Sequence, residues 1–164
     1  MELSEHAARS WRHGGTHPSP ESYSETLWAG VLTHFLAFDT STNGALGLLT
    51  TYDFHPTDRV ACFAAFRFES DLVARTKFLE ATYLAMRYAF EACNIRKLYL
   101  ETPEYNYVNL ESLVKRGVLA VEGRLAEHKL SRGRLWDQFI LTATPESVKI
   151  LEDLVRMTKR GRWA

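Results

Sequence analysis

The stretch Asn106–His128, NYVNLESLVKRGVLAVEGRLAEH, decides the fold. Its Leu110–Arg116 segment reads as a short helix capped by Asn109, whose side chain can accept from an unpaired first-turn N–H. Gly117 follows, and glycine adopts without strain the positive φ at which helices stop. From Leu119 to Lys129 the pattern is that of a strand. Further on, Ser131-Arg132-Gly133-Arg134 is a turn into a second strand, Trp136–Thr142. Thr144-Pro145-Glu146 then opens a last helix to Lys159, with a cap, a proline at the first helical position and an acid in the first turn.

Upstream of that stretch, Arg96–Glu101 (RKLYLE) reads as a strand. Ala74–Cys93 reads as a helix, because Phe78, Ala81, Leu84, Ala85, Tyr88 and Ala89 recur at helical spacing; Phe78, Leu84 and Tyr88 are expected in the core. Before it come three strands, His34–Phe38, Ala45–Tyr52 and Val60–Phe68. They are joined by a Thr42-Asn43-Gly44 hairpin turn and by His55-Pro56-Thr57-Asp58. Ser19-Pro20-Glu21 starts a helix expected to reach Leu32, with Tyr23, Leu27 and Val31 on one face. The order α, β-β-β, α, β, α, β-β, α specifies an α+β fold: one domain around a mixed central sheet with helices on both faces. The chain divides into an irregular segment 1–18, a main body 19–144, and a C-terminal helix with basic tail, 145–164, of the same domain.

Composition narrows the function. The chain has 164 residues, 46% apolar and 24% charged, which suffices for one ordinary core. Lys plus Arg and Asp plus Glu are 20 each. A neutral chain lacks the basic excess of a nucleic-acid binder. No apolar run is long enough for a membrane span and no signal peptide is visible, so a cytoplasmic protein is expected. Cys62 and Cys93 sit in apolar surroundings and read as two buried free thiols. No metal-ligand spacing is present, so no metal is expected.

Asn106–Val118 and Glu122–His128 resemble the "N-x-x-S…EKLGF…EGRLREH" segment of GNAT-family N-acyltransferases, notably the RimJ/RimL-like ribosomal-protein alanine acetyltransferases. Gly133–Gln138 (GRLWDQ) is similar to that branch's approach to its last strand. The element order from Phe35 to Thr142 also matches the GNAT fold from its second strand onward, about two thirds of the chain. The family's first strand is not visible ahead of the Ser19 helix. One extra residue precedes Glu122-Gly123. In the family, the loop before the long helix reads Q/R-x-x-G-x-G/A, and its glycines let backbone N–H groups approach the CoA pyrophosphate. Here it reads Val73-Ala74-Arg75-Thr76-Lys77-Phe78, with both small positions filled, by Thr76 and Phe78.

The resemblance implies a phosphopantetheine thioester as co-substrate, with no tightly bound cofactor. It places the donor against Phe66, Arg67 and Phe68, with Arg75, Thr76 and Lys77 at its phosphate and Asn106 beside it. Proton transfer from the amine needs a base, and the leaving thiolate needs an acid. Glu101, Tyr107 and His55 are the catalytic candidates; Glu104 and Tyr105 lie beside them. The filled loop favours a donor on an acyl-carrier protein over free acyl-CoA, since a carrier's arm has a single phosphodiester that needs no glycine cradle. Lys115, Arg116 and the Arg160 tail could meet an acidic carrier helix. The acceptor is expected to be a small-molecule amine in biosynthesis. Three other readings stay open: an acetyl-CoA-dependent RimJ/RimL-like enzyme, an aminoacyl-tRNA-dependent one that the zero net charge argues against, and a non-catalytic binding module. Related folds often dimerise, so a homodimer is an option.

Overall fold

A computed structural model describes residues 28–68 and 72–159. Strands β1 (Val31–Phe38), β2 (Ala45–His55) and β3 (Val60–Arg67) form an antiparallel meander. The hairpin turn takes the backbone the sequence suggests, and the second turn adds a left-handed residue after it. Asn43 has φ 55°, and the hairpin closes through the Asp39 N–H to the Gly44 carbonyl, 2.9 Å. Arg59 also has φ 55° and donates its N–H to the His55 carbonyl. The long helix α1 (Leu72–Ala92) follows, then β4 (Lys97–Pro103), the short helices α2 (Glu104–Tyr107) and α3 (Glu111–Lys115), strands β5 (Ala120–Ser131) and β6 (Arg134–Ala143), and α4 (Pro145–Lys159). The six strands form one mixed sheet in the order β1-β2-β3-β4-β6-β5, with β3 and β4 parallel and every other pair antiparallel.

Helices α1 and α4 pack on one another and against one face of the sheet. Ala61 and Phe63 of β3, Leu98 and Leu100 of β4, and Leu141 and Ala143 of β6 point to that face and are buried. α1 covers them with Ala74, Phe78, Ala85, Met86, Ala89 and Phe90, and α4 with Val148, Leu151, Leu154 and Val155. Lys159 Nζ bonds Glu80 Oε1 at 2.5 Å across the two helices. α4 starts as its cap residues suggest, with Thr144 donating its N–H to Ser147 Oγ at 3.0 Å and its hydroxyl to Glu146.

The structure corrects several expectations. The helix over 19–32 does not reach its expected end: Val31 and Leu32 belong to β1, and residues 19–27 lie outside the described residues, as do 1–18 and the Arg160 tail. The share of helix expected on the second face of the sheet falls partly on that same segment. Asn109 does not cap α3. Leu110 occupies the cap position without a side-chain bond, while Asn109 Nδ2 donates to Asn106 Oδ1. Gly117, with φ 75°, does stop the helix. Leu84 and Tyr88 are exposed rather than core, because α1 turns Phe78, Ala85 and Ala89 inward and leaves the adjacent apolar stripe outside. Tyr88 meets β1 edge-on, its ring 5.4 Å from that of Phe35. Cys62 and Cys93 are free but only half-buried.

Candidate active site

The parallel contact between β3 and β4 spans only three register pairs, Val60–Lys97, Ala61–Leu98 and Cys62–Tyr99. Beyond it the strands part. β3 continues paired to β2 through Arg67, and β4 continues paired to β6 through Pro103. A wedge opens between them, and β3 at residues 63–65 and β4 from Leu100 have no strand facing them across it in the sheet order. Unpaired backbone N–H and C=O groups on a strand edge are ready to bond an extended ligand. A proline at the end of β4 is tolerated because that strand has one open edge there.

Phe66 and Phe68 line the β3 side, their rings edge-on at 5.8 Å. Arg67 alternates to the opposite face. The loop that the resemblance assigns to the donor phosphate lies at the start of α1. Phe78, expected to fill a small position in it, instead faces the core at 8% exposure, over Gly47 of β2. A β-carbon on Gly47 would lie 2.5 Å from Phe78 Cε2 and 2.2 Å from the Phe66 carbonyl oxygen. The bulk at position 78 is thus absorbed by the missing side chain at 47 and does not face a ligand. Thr76 is half-buried and Arg75 is exposed at the helix start. Lys77 is committed elsewhere: its ammonium bonds Asp39 Oδ2 at 2.5 Å and Ser41 Oγ at 3.3 Å. Bonds donated to Asp39 by the Lys77 ammonium, the Ser41 N–H and hydroxyl, and the Thr42 hydroxyl hold its carboxyl far below the usual carboxylate range.

The catalytic candidates do not converge. Glu101 and Gln138 lie on the sheet face opposite α1, Glu101 on the strand that borders the wedge and Gln138 one strand further from it. Glu101 accepts from Gln138 Nε2 at 2.6 Å. Tyr107 is on the other face, its ring stacked on Phe139 at 4.3 Å and 19°. Tyr105, two residues earlier, meets Trp136 edge-on at 5.4 Å, so α2 grips β6 from both faces. His55 lies at the closed end of the wedge. It shares a cavity of about 690 Å³ with Asp53, Val60, Cys62 and Tyr99. Its register partner is Val60, itself opposite Lys97. With strand rises of about 3.3 Å and strand spacings of about 4.8 Å, that puts the His55 and Glu101 backbones roughly 16 Å apart. In that cavity, burial and the nearby Asp53 and Glu101 charges push the Cys62 thiol up to about 11.

Asn106 is spent on structure: Nδ2 donates to Thr102 Oγ1 at 3.0 Å and Oδ1 accepts from Asn109, locking α2 onto β4. The residues of the quoted motifs do similar work. Glu122 accepts from Lys97 Nζ at 2.6 Å and from Thr142 Oγ1, tying β5 across β6 to β4. Arg124 pairs with Asp137, which also accepts the Glu127 N–H at a bulge where Glu127 has φ 49°. Lys115 is held by Glu111 at 3.0 Å within α3. Gln138 was quoted within the GRLWDQ motif but not as a site residue. Its partner is 37 positions away in sequence, and no local pattern announces such a pair. No group of metal-ligating side chains occurs among the described residues.

No family model matches the chain, and neither does any curated protein. Solved structures do match. A spermidine N-acetyltransferase from Vibrio cholerae in complex with CoA and spermine superposes with a TM-score of 0.71 at 19% identity, over 89% of this chain and 86% of that one. The same enzyme with manganese ions gives 0.63 at 22% identity, over 81% and 75%. A single-residue variant of it gives 0.65 at 20%, over 81% and 76%. The shared feature is the fold, that of the GNAT acyltransferases.

Proposed function

We propose that this chain is a GNAT-type N-acyltransferase that moves an acyl group from a CoA-type thioester to a small-molecule amine. The observation that carries the reading is the parting of β3 and β4 after Cys62 and Tyr99. An extended pantetheine arm fits such an edge as an added strand, with Phe66 and Phe68 against it. The likeness to spermidine acetyltransferases, one of them bound to CoA and spermine, supports both the donor class and an amine acceptor.

In this reading the amine nitrogen attacks the thioester carbonyl. A proton leaves the nitrogen for Glu101, the C–S bond breaks, and the thiolate takes up a proton to leave as thiol. Developing negative charge on the carbonyl oxygen is met by an unpaired strand N–H at the wedge. Arg75 and the first turn of α1 hold the donor phosphate. The case for a carrier-bound donor came from a loop blocked at two small positions. With Phe78 turned into the core, free acyl-CoA becomes the donor of first choice.

Calorimetric titration with acetyl-CoA and, separately, with a phosphopantetheinylated carrier protein tests the donor. An acetylation assay with spermidine and simple amines tests the reaction. Binding of acetyl-CoA with amine acetylation is the expected result. Binding of the carrier alone would move the donor onto a protein. Binding without turnover of any amine would make the chain a non-catalytic module, and no binding of either donor would overturn the reading.

A further inference from the structure

We propose that the cavity bordered by Cys62 and Tyr99 is a seat for the acyl chain, so that the group this protein transfers is a neutral aliphatic acyl group longer than acetyl. The inference rests on the acyltransferase reading and names the class of acyl group, which that reading leaves open.

The direction of the donor follows from the fold. β3 leads to the start of α1, where Arg75 and the first helical turn take the phosphate in that reading. The pantetheine arm then enters at the Phe68 end of β3 and runs back toward Phe63, with the thioester as its leading end. Ahead of it the strands close: Cys62 pairs with Tyr99, Ala61 with Leu98 and Val60 with Lys97. A chain attached beyond the thioester carbonyl cannot go on in the plane of the sheet. Nor can it turn toward α1, because Ala61, Phe63, Leu98 and Leu100 fill that face, each no more than 9% exposed. Among the described residues the other face is the way left open. There Cys62 and Tyr99 are only half-buried, and both border the cavity of about 690 Å³.

That volume lies within the roughly 300–1,000 Å³ of small-molecule sites, which are mostly apolar inside. Val31, Leu32 and Val60 supply apolar side chains to it, and the Cys62 thiol behaves as a small apolar group. Asp53 and His55 are exposed, and the Asp53 charge disfavours an acyl chain that ends in a carboxylate. Tyr99 precedes Glu101 by two residues on the same face, roughly 7 Å along the strand. Glu101 is close enough for its charge to act on the Cys62 thiol. An acetyl methyl lies about 1.5 Å beyond the carbonyl carbon and stops short of the cavity, whereas a chain of several more carbons enters it. The reaction is unaltered by the length of that chain. The amine nitrogen bonds the acyl carbon, the C–S bond breaks, and the proton lost from nitrogen is made good on sulfur, giving amide plus thiol.

The test titrates the full chain with acetyl-, butanoyl-, hexanoyl- and octanoyl-CoA by calorimetry. Each methylene taken out of water favours binding by up to about fourfold, so octanoyl-CoA is expected to bind at least about tenfold tighter than acetyl-CoA. Cys62→Phe puts a ring into the cavity and should bring that ratio close to one; a ratio as large as in the unaltered protein overturns the inference. A second measurement needs no variant and no turnover. Alkylation of Cys62 by iodoacetamide, with Cys93 as internal reference, should be slowed severalfold by octanoyl-CoA and not by acetyl-CoA; equal rates overturn the inference. Protection by n-octylamine instead of octanoyl-CoA would give the cavity to the acceptor and overturn it as well. Acetyl transfer to n-butylamine with no gain along the acyl series removes the chain seat and leaves the acyltransferase reading standing. Should no donor acylate an amine while octanoyl-CoA still protects Cys62, the acyltransferase reading falls and the chain seat stands.

Discussion

Phe78 of the long helix lies directly over Gly47 of β2, and the contact is close enough that no side chain fits beneath the ring. The Phe66 carbonyl of β3, an edge proposed to take the donor, borders the same spot. Gly47→Ala should therefore cost about 1–3 kcal/mol through overpacking and weaken acetyl-CoA binding together with it. Urea unfolding and calorimetry read the two effects. An unchanged midpoint would show that both the ring and the β3 backbone beside it can shift.

In the proposed reaction, Glu101→Gln removes the proton acceptor and keeps the shape. The expected result is a fall in kcat of roughly 10²–10⁴-fold with little change in acetyl-CoA affinity, measured by steady-state kinetics and calorimetry. A full rate in the variant would move the proton step to another group.

At the start of α1, Arg75 and Lys77 should behave differently. Arg75→Glu is expected to raise the acetyl-CoA dissociation constant by about tenfold without altering thermal stability, since an exposed charge contributes little to the fold. Lys77 already neutralises Asp39. Its replacement by methionine should lower the melting temperature more than it lowers donor affinity.

The Asp39 carboxyl sits far below its reference value of 3.8. A depressed folded-state value means that the ionised form is preferred by the native protein. The stability it brings is fully present above about pH 4 and is lost as pH falls below that. Asp39→Asn should flatten the acid limb of melting temperature against pH between 5 and 2, and the unaltered protein should show a steeper limb.

Cys62, pushed up to about 11, should be almost entirely thiol at pH 8. Its alkylation by iodoacetamide is expected to be slow there and to rise about tenfold per pH unit up to that value. Relieving one neighbouring charge with Asp53→Asn should speed the reaction at fixed pH. Peptide mapping by mass spectrometry separates Cys62 from Cys93.

Much of the architecture could be read from local chemistry. Asn43 and Gly117 take positive φ where turn and helix stop require it, and Arg132-Gly133 do so between β5 and β6. Thr144 and Ser147 build the α4 cap. What local chemistry does not encode is which of two apolar stripes on a helix faces the sheet. Leu84 and Tyr88 had the right spacing and lie outside. The parting of β3 from β4 is likewise invisible, because it consists of pairings not made between segments far apart in sequence. Phe78 misled for the same reason: its meaning depends on Gly47, 31 positions earlier. The Glu101–Gln138 bond is the clearest case at the candidate site, since each residue alone looks like an ordinary strand polar group.

The three-pair seam between β3 and β4 has a mechanical consequence. It divides the sheet into two three-stranded plates, β1-β2-β3 and β4-β6-β5, riveted along a short line and backed by the α1–α4 layer. A short rivet lets plates flex about it, so amide exchange should be fastest along the open edges and slowest beside Ala61 and Leu98. A molecule bridging the gap would act as a splint: it would join the plates along their whole length, and the two halves would then open only together.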